Sequence, residues 1–206
     1  MKILFWTGWS IFRIIAAFIF RVKIIGRENI PEQGGFILAS NHISYYDPPL
    51  VGCCIKREVY FFAKRELFGF KPFGWILREV NARPVNRAGV DRAAIESAVA
   101  ILKSGNGLTV FPEGTRSKTK DFLPVKPGIG MIARQAEVPI VPAYIHGTNQ
   151  LWNCFTGRTR LSVSYGEPIS AEWIRSQDMT KEGYLAIADE IMGRIVRLKT
   201  ELGQPS

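Results

Sequence analysis

Short β-type runs alternate with longer amphipathic stretches along most of this chain, and that alternation is the strongest constraint on its fold. Residues 36–40, 59–63, 83–86, 108–111, 140–145 and 161–165 read as strands. Between them, residues 48–55, 73–80, 91–103 and 128–137 place apolar side chains at helical spacing. Such a rhythm predicts an α/β fold with a largely parallel central sheet flanked by helices. The last long element, residues 180–202, repeats Ile187, Ile191, Ile195 and Leu198 on one helical face, which predicts packing on the core. At 206 residues the chain has the length of one compact domain, and no repeat, low-complexity tract or long linker divides it. The expected organisation is a folded domain over residues 24–206 behind an N-terminal segment, residues 1–23.

That segment is apolar from Ile3 to Phe20 except for Thr7, Ser10 and Arg13. A spanning helix needs about 20 apolar residues and tolerates a central arginine poorly. A signal peptide fits less well, because Arg21, Val22 and Lys23 follow where a small-residue cleavage site belongs. The reading that suits these residues is a membrane-associating helix in the interface, with Arg13 snorkelling and Arg21, Lys23 and Arg27 near anionic headgroups. A spanning helix and a buried core helix are the alternatives.

The formal charge is +9, and residues 56–134 carry 15 basic against seven acidic side chains. This surplus suits an anionic partner, whether nucleic acid, lipid headgroups or a phosphorylated substrate, and charge alone does not choose among them. The three cysteines, two of them adjacent, are a poor disulfide framework and point to a reducing compartment. Two distant histidines and no cysteine cluster supply too few ligands for zinc, so no metal is expected.

One of those histidines, His42, falls just past the strand ending at Ser40, where α/β sheets present ligand-binding and catalytic groups. Asp47, followed by two prolines, reads as the N-cap of the next helix. On an unbroken helix, positions five apart lie about 140° from each other, whereas the intervening loop lets the two side chains meet. If they do, the carboxylate orients the imidazole and leaves its other nitrogen free as a base. The plainer alternative is that Asp47 caps its helix while His42 satisfies a local backbone group.

A second stretch, Phe111-Pro112-Glu113-Gly114-Thr115-Arg116-Ser117, ends a β-type run in a sharp turn. Gly114 lets an anion approach the backbone, and the hydroxyls and the Arg116 fork are donors suited to phosphate. The ordinary reading is a basic surface turn. It is not a Walker loop, which needs a Gly-Lys-Ser or Gly-Lys-Thr ending.

Taken together, Asn41-His42 through Asp47 and Phe111 through Arg116 resemble the hallmark blocks of the 1-acylglycerol-3-phosphate acyltransferases, the His-x4-Asp phospholipid acyltransferases. Two further blocks follow in order: Lys64-Arg65-Glu66-Leu67 through Gly74-Trp75 to Pro84-Val85-Asn86-Arg87, and Val138-Pro139-Ile140-Val141-Pro142. The resemblance implies a catalytic dyad at His42 and Asp47. It also implies an acceptor-phosphate site at Lys64, Arg87 and Arg116, with Glu113, Gly114 and Thr115 forming the pocket around it. The implied partners are a lysophospholipid, an acyl-carrier protein or coenzyme A thioester, and a membrane surface at the cytoplasmic face of the cell membrane. No nucleic acid and no cofactor beyond the thioester co-substrate are expected. His42 is expected to take a proton from the glycerol hydroxyl as it attacks the thioester, without an acyl-enzyme at Ser44 or Cys53. Another lysophospholipid as acceptor, a hydrolase using the same dyad, and a non-enzymatic lipid-binding protein are the alternatives. His146 reads as structural. The aromatic stretch from Tyr60 through Phe70, Phe73 and Trp75 reads as core, with an acyl-chain groove as its alternative.

Overall fold

The computed structural model describes residues 2–86, 91–119 and 121–203. In chain order its strands are β1 (Lys23–Ile25), β2 (Phe36–Ser40), β3 (Val59–Lys64), β4 (Ala82–Val85), β5 (Gly107–Val110), β6 (Ile140–His146) and β7 (Ser162–Tyr165). They form one sheet in the order β1-β7-β6-β2-β5-β3-β4, with every neighbouring pair parallel except β6 and β7. The helices are α1 (Lys2–Ile14), α2 (Asp47–Cys53), α3 (Lys71–Glu79), α4 (Arg92–Lys103), α5 (Gly128–Ala136), α6 (Leu151–Phe155), α7 (Ala171–Arg175) and α8 (Lys181–Glu201). The fold is therefore α/β with a mostly parallel central sheet flanked by helices. Strand β1 and the short helices α6 and α7 are additions to the elements expected from periodicity, which has too few residues to register in runs of three to five.

Strand β2 is buried along its whole length because both faces of the sheet are covered there. Its alternating side chains feed two cores. Ile37 and Ala39 pack with the apolar faces of α4, α5 and α8. Phe36 and Leu38 face the opposite side, with α2 and Ala16. Ile187, Ile191, Ile195 and Leu198 of α8 are all buried, the stripe their spacing predicts. Helices α5 and α8 approach closely at Gly130, where a Cβ would stand 2.0 Å from the Tyr184 carbonyl oxygen. Asp91 caps α4, its Oδ1 accepting from the Ala94 amide at 3.1 Å.

At the N-terminus α1 continues through a π-helical turn, Ile15–Ile19, and packs on α2 and α3. Trp9 Nε1 donates to the Gly52 carbonyl at 3.3 Å. The Arg13 guanidinium lies 4.9 Å from the Trp9 ring centroid, where the aromatic face offers it a partner. Among the described residues no helix is long and apolar enough to cross a membrane.

Candidate active site

Three loops meet at one edge of the sheet because β6, β2 and β5 are adjacent and parallel, with Ala39 opposite Val110 and Ser40 opposite Ala143. Chain segments that leave these strands in equal register emerge side by side. Asn41 extends β2 with its side chain: Nδ2 donates to the Ile145 carbonyl at 3.0 Å and Oδ1 accepts from the Ile145 amide at 2.7 Å. The amide group thus replaces one step of backbone pairing, and the chain is free to turn at His42.

The turn brings the predicted pair together. His42 Nδ1 lies 2.8 Å from Asp47 Oδ2, with both side chains buried. The same oxygen accepts from the Ile43 and Ser44 amides at 2.7 Å each, and Oδ1 accepts from the Thr148 hydroxyl at 2.6 Å. Asp47 opens α2 as its first residue and does not cap it, contrary to expectation. Its carboxylate turns back into the preceding loop, where two amides, a ring N–H and a hydroxyl satisfy a fully buried charge. A carboxylate on Nδ1 fixes the imidazole tautomer and leaves Nε2 as the free nitrogen. Phe111 holds the ring from the side, stacked at 4.0 Å between centroids.

Glu113 is buried and grips two loops at once. Its Oε1 accepts from the His42 amide at 3.0 Å and its Oε2 from the Leu123 amide at 2.9 Å. Burial pushes its carboxyl above the ordinary value, against the lowering pull of those two amides. The Ser117 amide returns a bond to the His42 carbonyl at 2.8 Å. Glu113 therefore shapes the site by anchoring the histidine loop, and as an acceptor it offers an anion no donor.

Gly114 has φ +68°, and the space a Cβ would need is taken by Lys126, whose Nζ would lie 3.2 Å from it. The left-handed turn thereby admits a lysine alongside the backbone. Arg116 lies flat on Tyr45, guanidinium carbon to ring centroid 3.4 Å. Thr115, Arg116, Lys64 and His42 all line a cavity of about 990 Å³. Lys64 stands at the C-terminal end of β3, exposed, 3.5 Å from Glu66. Arg87 lies outside the described residues. His146 ends β6 half-buried, where burial lowers its pKa, and its side chain does not line the cavity.

The rest of the cavity is apolar. Phe12 of α1, Pro48, Pro49 and Cys53 of α2, Phe61 and Phe62 of β3, and Phe73 and Leu77 of α3 contribute to its wall. The aromatic stretch divides: Tyr60 and Phe62 pack against the core, Phe61, Phe62 and Phe73 line the cavity, and Phe70 and Trp75 face outward. Thr148, Tyr45 and Lys126 were not among the expected site residues. Tyr45 lies inside the histidine loop and Thr148 in the Gly-Thr turn after a strand, but neither turn composition nor spacing says which side chain it meets.

The site can hold an imidazole in one orientation, with an apolar cavity on one side and cationic groups at its rim. The Acyltransferase family matches residues 21–146, and this chain belongs to that family. It is an enzyme of that class. It is 31% identical over 185 residues to the 1-acyl-sn-glycerol-3-phosphate acyltransferase of Bacillus subtilis, covering 89% of this chain and 90% of that one. The enzyme of the same name from Streptococcus pneumoniae is 32% identical over 180 residues, 86% of this chain and 66% of the relative. The crystal structure of the 1-acyl-sn-glycerophosphate (LPA) acyltransferase PlsC from Thermotoga maritima superposes with a TM-score of 0.72 at 28% identity, covering 96% of this chain and 80% of that chain.

Proposed function

We propose that the protein transfers a fatty acyl group from an acyl-carrier protein or coenzyme A thioester to the sn-2 hydroxyl of 1-acylglycerol-3-phosphate, giving phosphatidic acid. The observation that carries this reading is the His42–Asp47 hydrogen bond of 2.8 Å at the wall of an apolar cavity that Lys64 and Arg116 also line. The names of the relatives point the same way.

In this mechanism His42 Nε2 takes the proton of the sn-2 hydroxyl as the oxygen attacks the thioester carbonyl carbon. Asp47 holds the ring and stabilises the imidazolium that forms. The tetrahedral oxyanion then collapses, the carbon–sulfur bond breaks, and the departing thiolate takes the proton back from Nε2. No acyl-enzyme is needed, because the hydroxyl attacks the thioester directly. Lys64, Arg116 and Arg87 hold the acceptor phosphate, Arg116 best suited to grip two oxygens. The apolar cavity, of a size that buries a large ligand, takes an acyl chain. Residues 1–23 associate with the cytoplasmic face of the membrane that supplies the acceptor.

The test is an acyl-transfer assay on the purified protein with lysophosphatidate and both thioester donors. Phosphatidic acid is the expected product, and His42→Ala abolishes its formation while the melting temperature stays close to that of the parent. Release of free fatty acid without transfer points to a hydrolase, and near-normal transfer by His42→Ala overturns the mechanism.

A further inference from the structure

Helix α3 is a surface helix with its apolar side chains uncovered. Within Lys71–Glu79 only Gly74 is buried. Its backbone sits against the preceding turn so closely that a Cβ would meet the Phe68 carbonyl oxygen at 2.6 Å. Phe70 just before the helix is 71% exposed, Trp75 is 55% and Ile76 45% exposed. An isolated exposed apolar residue needs no explanation, but three large ones within seven positions form a patch. Trp75 and Ile76 do not line the cavity, unlike Phe73 and Leu77 beside them, so substrate does not account for their exposure.

We propose that this face of α3 is a lipid-contact surface that enters the interface of an anionic bilayer beside the cavity. Two features favour lipid over a second copy of the chain. Residues 64–79 carry four basic and two acidic side chains within a chain of net charge +9, so like copies repel while anionic headgroups attract. Lys71 and Arg78 flank Trp75 and Ile76, both exposed, in the pattern of an interfacial helix: aromatic and aliphatic groups below, cations at headgroup level. Helix α1 packs on α3 and, with the π-helical turn that continues it, also exposes Ile11, Ile14 and Phe18. The cavity is walled by both helices, through Trp9 and Phe12 of α1 and Phe73 and Leu77 of α3. Two helices in contact with lipid on either side of it give an acyl chain a path from the bilayer that does not cross water. This use of the path rests on the proposed reaction, whereas lipid contact by α3 does not.

The full-length protein is sedimented with extruded vesicles of phosphatidylcholine, with and without phosphatidylglycerol, in the absence of substrate. The double variant Trp75→Ser, Ile76→Ser is expected to lower partitioning on the order of tenfold on the phosphatidylglycerol vesicles. Its melting temperature and its transfer to detergent-dispersed acceptor stay near the parent values. A second measurement uses the mild variant Trp75→Phe: brominated phosphatidylcholine within the vesicles quenches more tryptophan emission in the parent than in this variant. Unchanged partitioning of the double variant, or equal quenching in parent and Trp75→Phe, overturns the proposal. So does loss of self-association, or of binding to an acidic protein, while vesicle binding stays intact. Vesicle binding through α3 by a protein inactive in transfer leaves the proposal standing and removes the reaction.

Discussion

Thr148 Oγ1 donates to Asp47 Oδ1 at 2.6 Å, tying the turn after β6 to the start of α2 across 101 residues of sequence. Asp47 is fully buried, and its other oxygen already serves His42 and two amides. Thr148 is thus the donor to the oxygen that faces away from the histidine, and it fixes the carboxylate plane from which His42 is oriented.

Thr148→Val keeps the shape and removes that donor. A hydrogen bond to a charged group contributes roughly 1.5–3 kcal/mol. We expect kcat for acyl transfer to fall about ten- to a hundredfold, with the KM for both substrates nearly unchanged. Thr148→Ser, which restores the hydroxyl, recovers most of the rate. In an Asp47→Asn background the valine substitution adds little further loss, because its effect passes through the carboxylate. Steady-state kinetics of the four variants test this, and a drop in the serine variant as large as in the valine variant would assign Thr148 a packing role.

Arg116 and Tyr45 form a stacked pair at the cavity, a contact that a lysine cannot reproduce. Arg116→Lys is expected to raise the KM for lysophosphatidate more than the KM for the thioester, at a cost of about 1–3 kcal/mol in kcat/KM. Tyr45→Ala shifts the same parameter in the same direction, since it frees the guanidinium. Equal losses with phosphorylated and unphosphorylated acceptors would remove Arg116 from the proposed phosphate site.

The buried carboxyl of Glu113 is raised above its ordinary value by desolvation. The folded chain therefore holds this proton more readily than the unfolded chain does. Its stabilising contribution is complete below the unfolded value of about 4.3 and is lost as pH rises through the raised folded value. Glu113→Gln removes the titration. The melting temperature of the parent relative to that variant is expected to decline as pH rises from about 4 toward neutrality. A difference independent of pH across that window would contradict it.

Gly130 lets α5 and α8 touch, since a Cβ there meets the Tyr184 carbonyl oxygen at 2.0 Å. Backbone cannot give way as a flexible side chain does, so Gly130→Ala forces the helices apart at a cost of about 1–3 kcal/mol or more. Thermal melting is expected to fall by several degrees. An alanine variant as stable as the parent would mean that the two helices separate freely.

The alternation of short apolar runs and amphipathic stretches was enough to define the α/β class and most element positions, because periodicity is a local property of the chain. The histidine and aspartate were legible for the same reason: one short loop contains both, and its length allows their side chains to meet. The aromatic stretch was legible only in part, since apolar character marks a residue that avoids water without saying whether protein, substrate or lipid replaces it. Asn41 with Ile145, Thr148 with Asp47 and Glu113 with His42 and Leu123 were beyond sequence reading. Most of these contacts depend on which strands become neighbours and in what register, and strand order is set by how crossover helices cover both faces of the sheet. Only the tertiary structure decided that β6, β2 and β5 lie side by side, and so placed a hydroxyl and a second carboxylate around a dyad that one loop had already supplied.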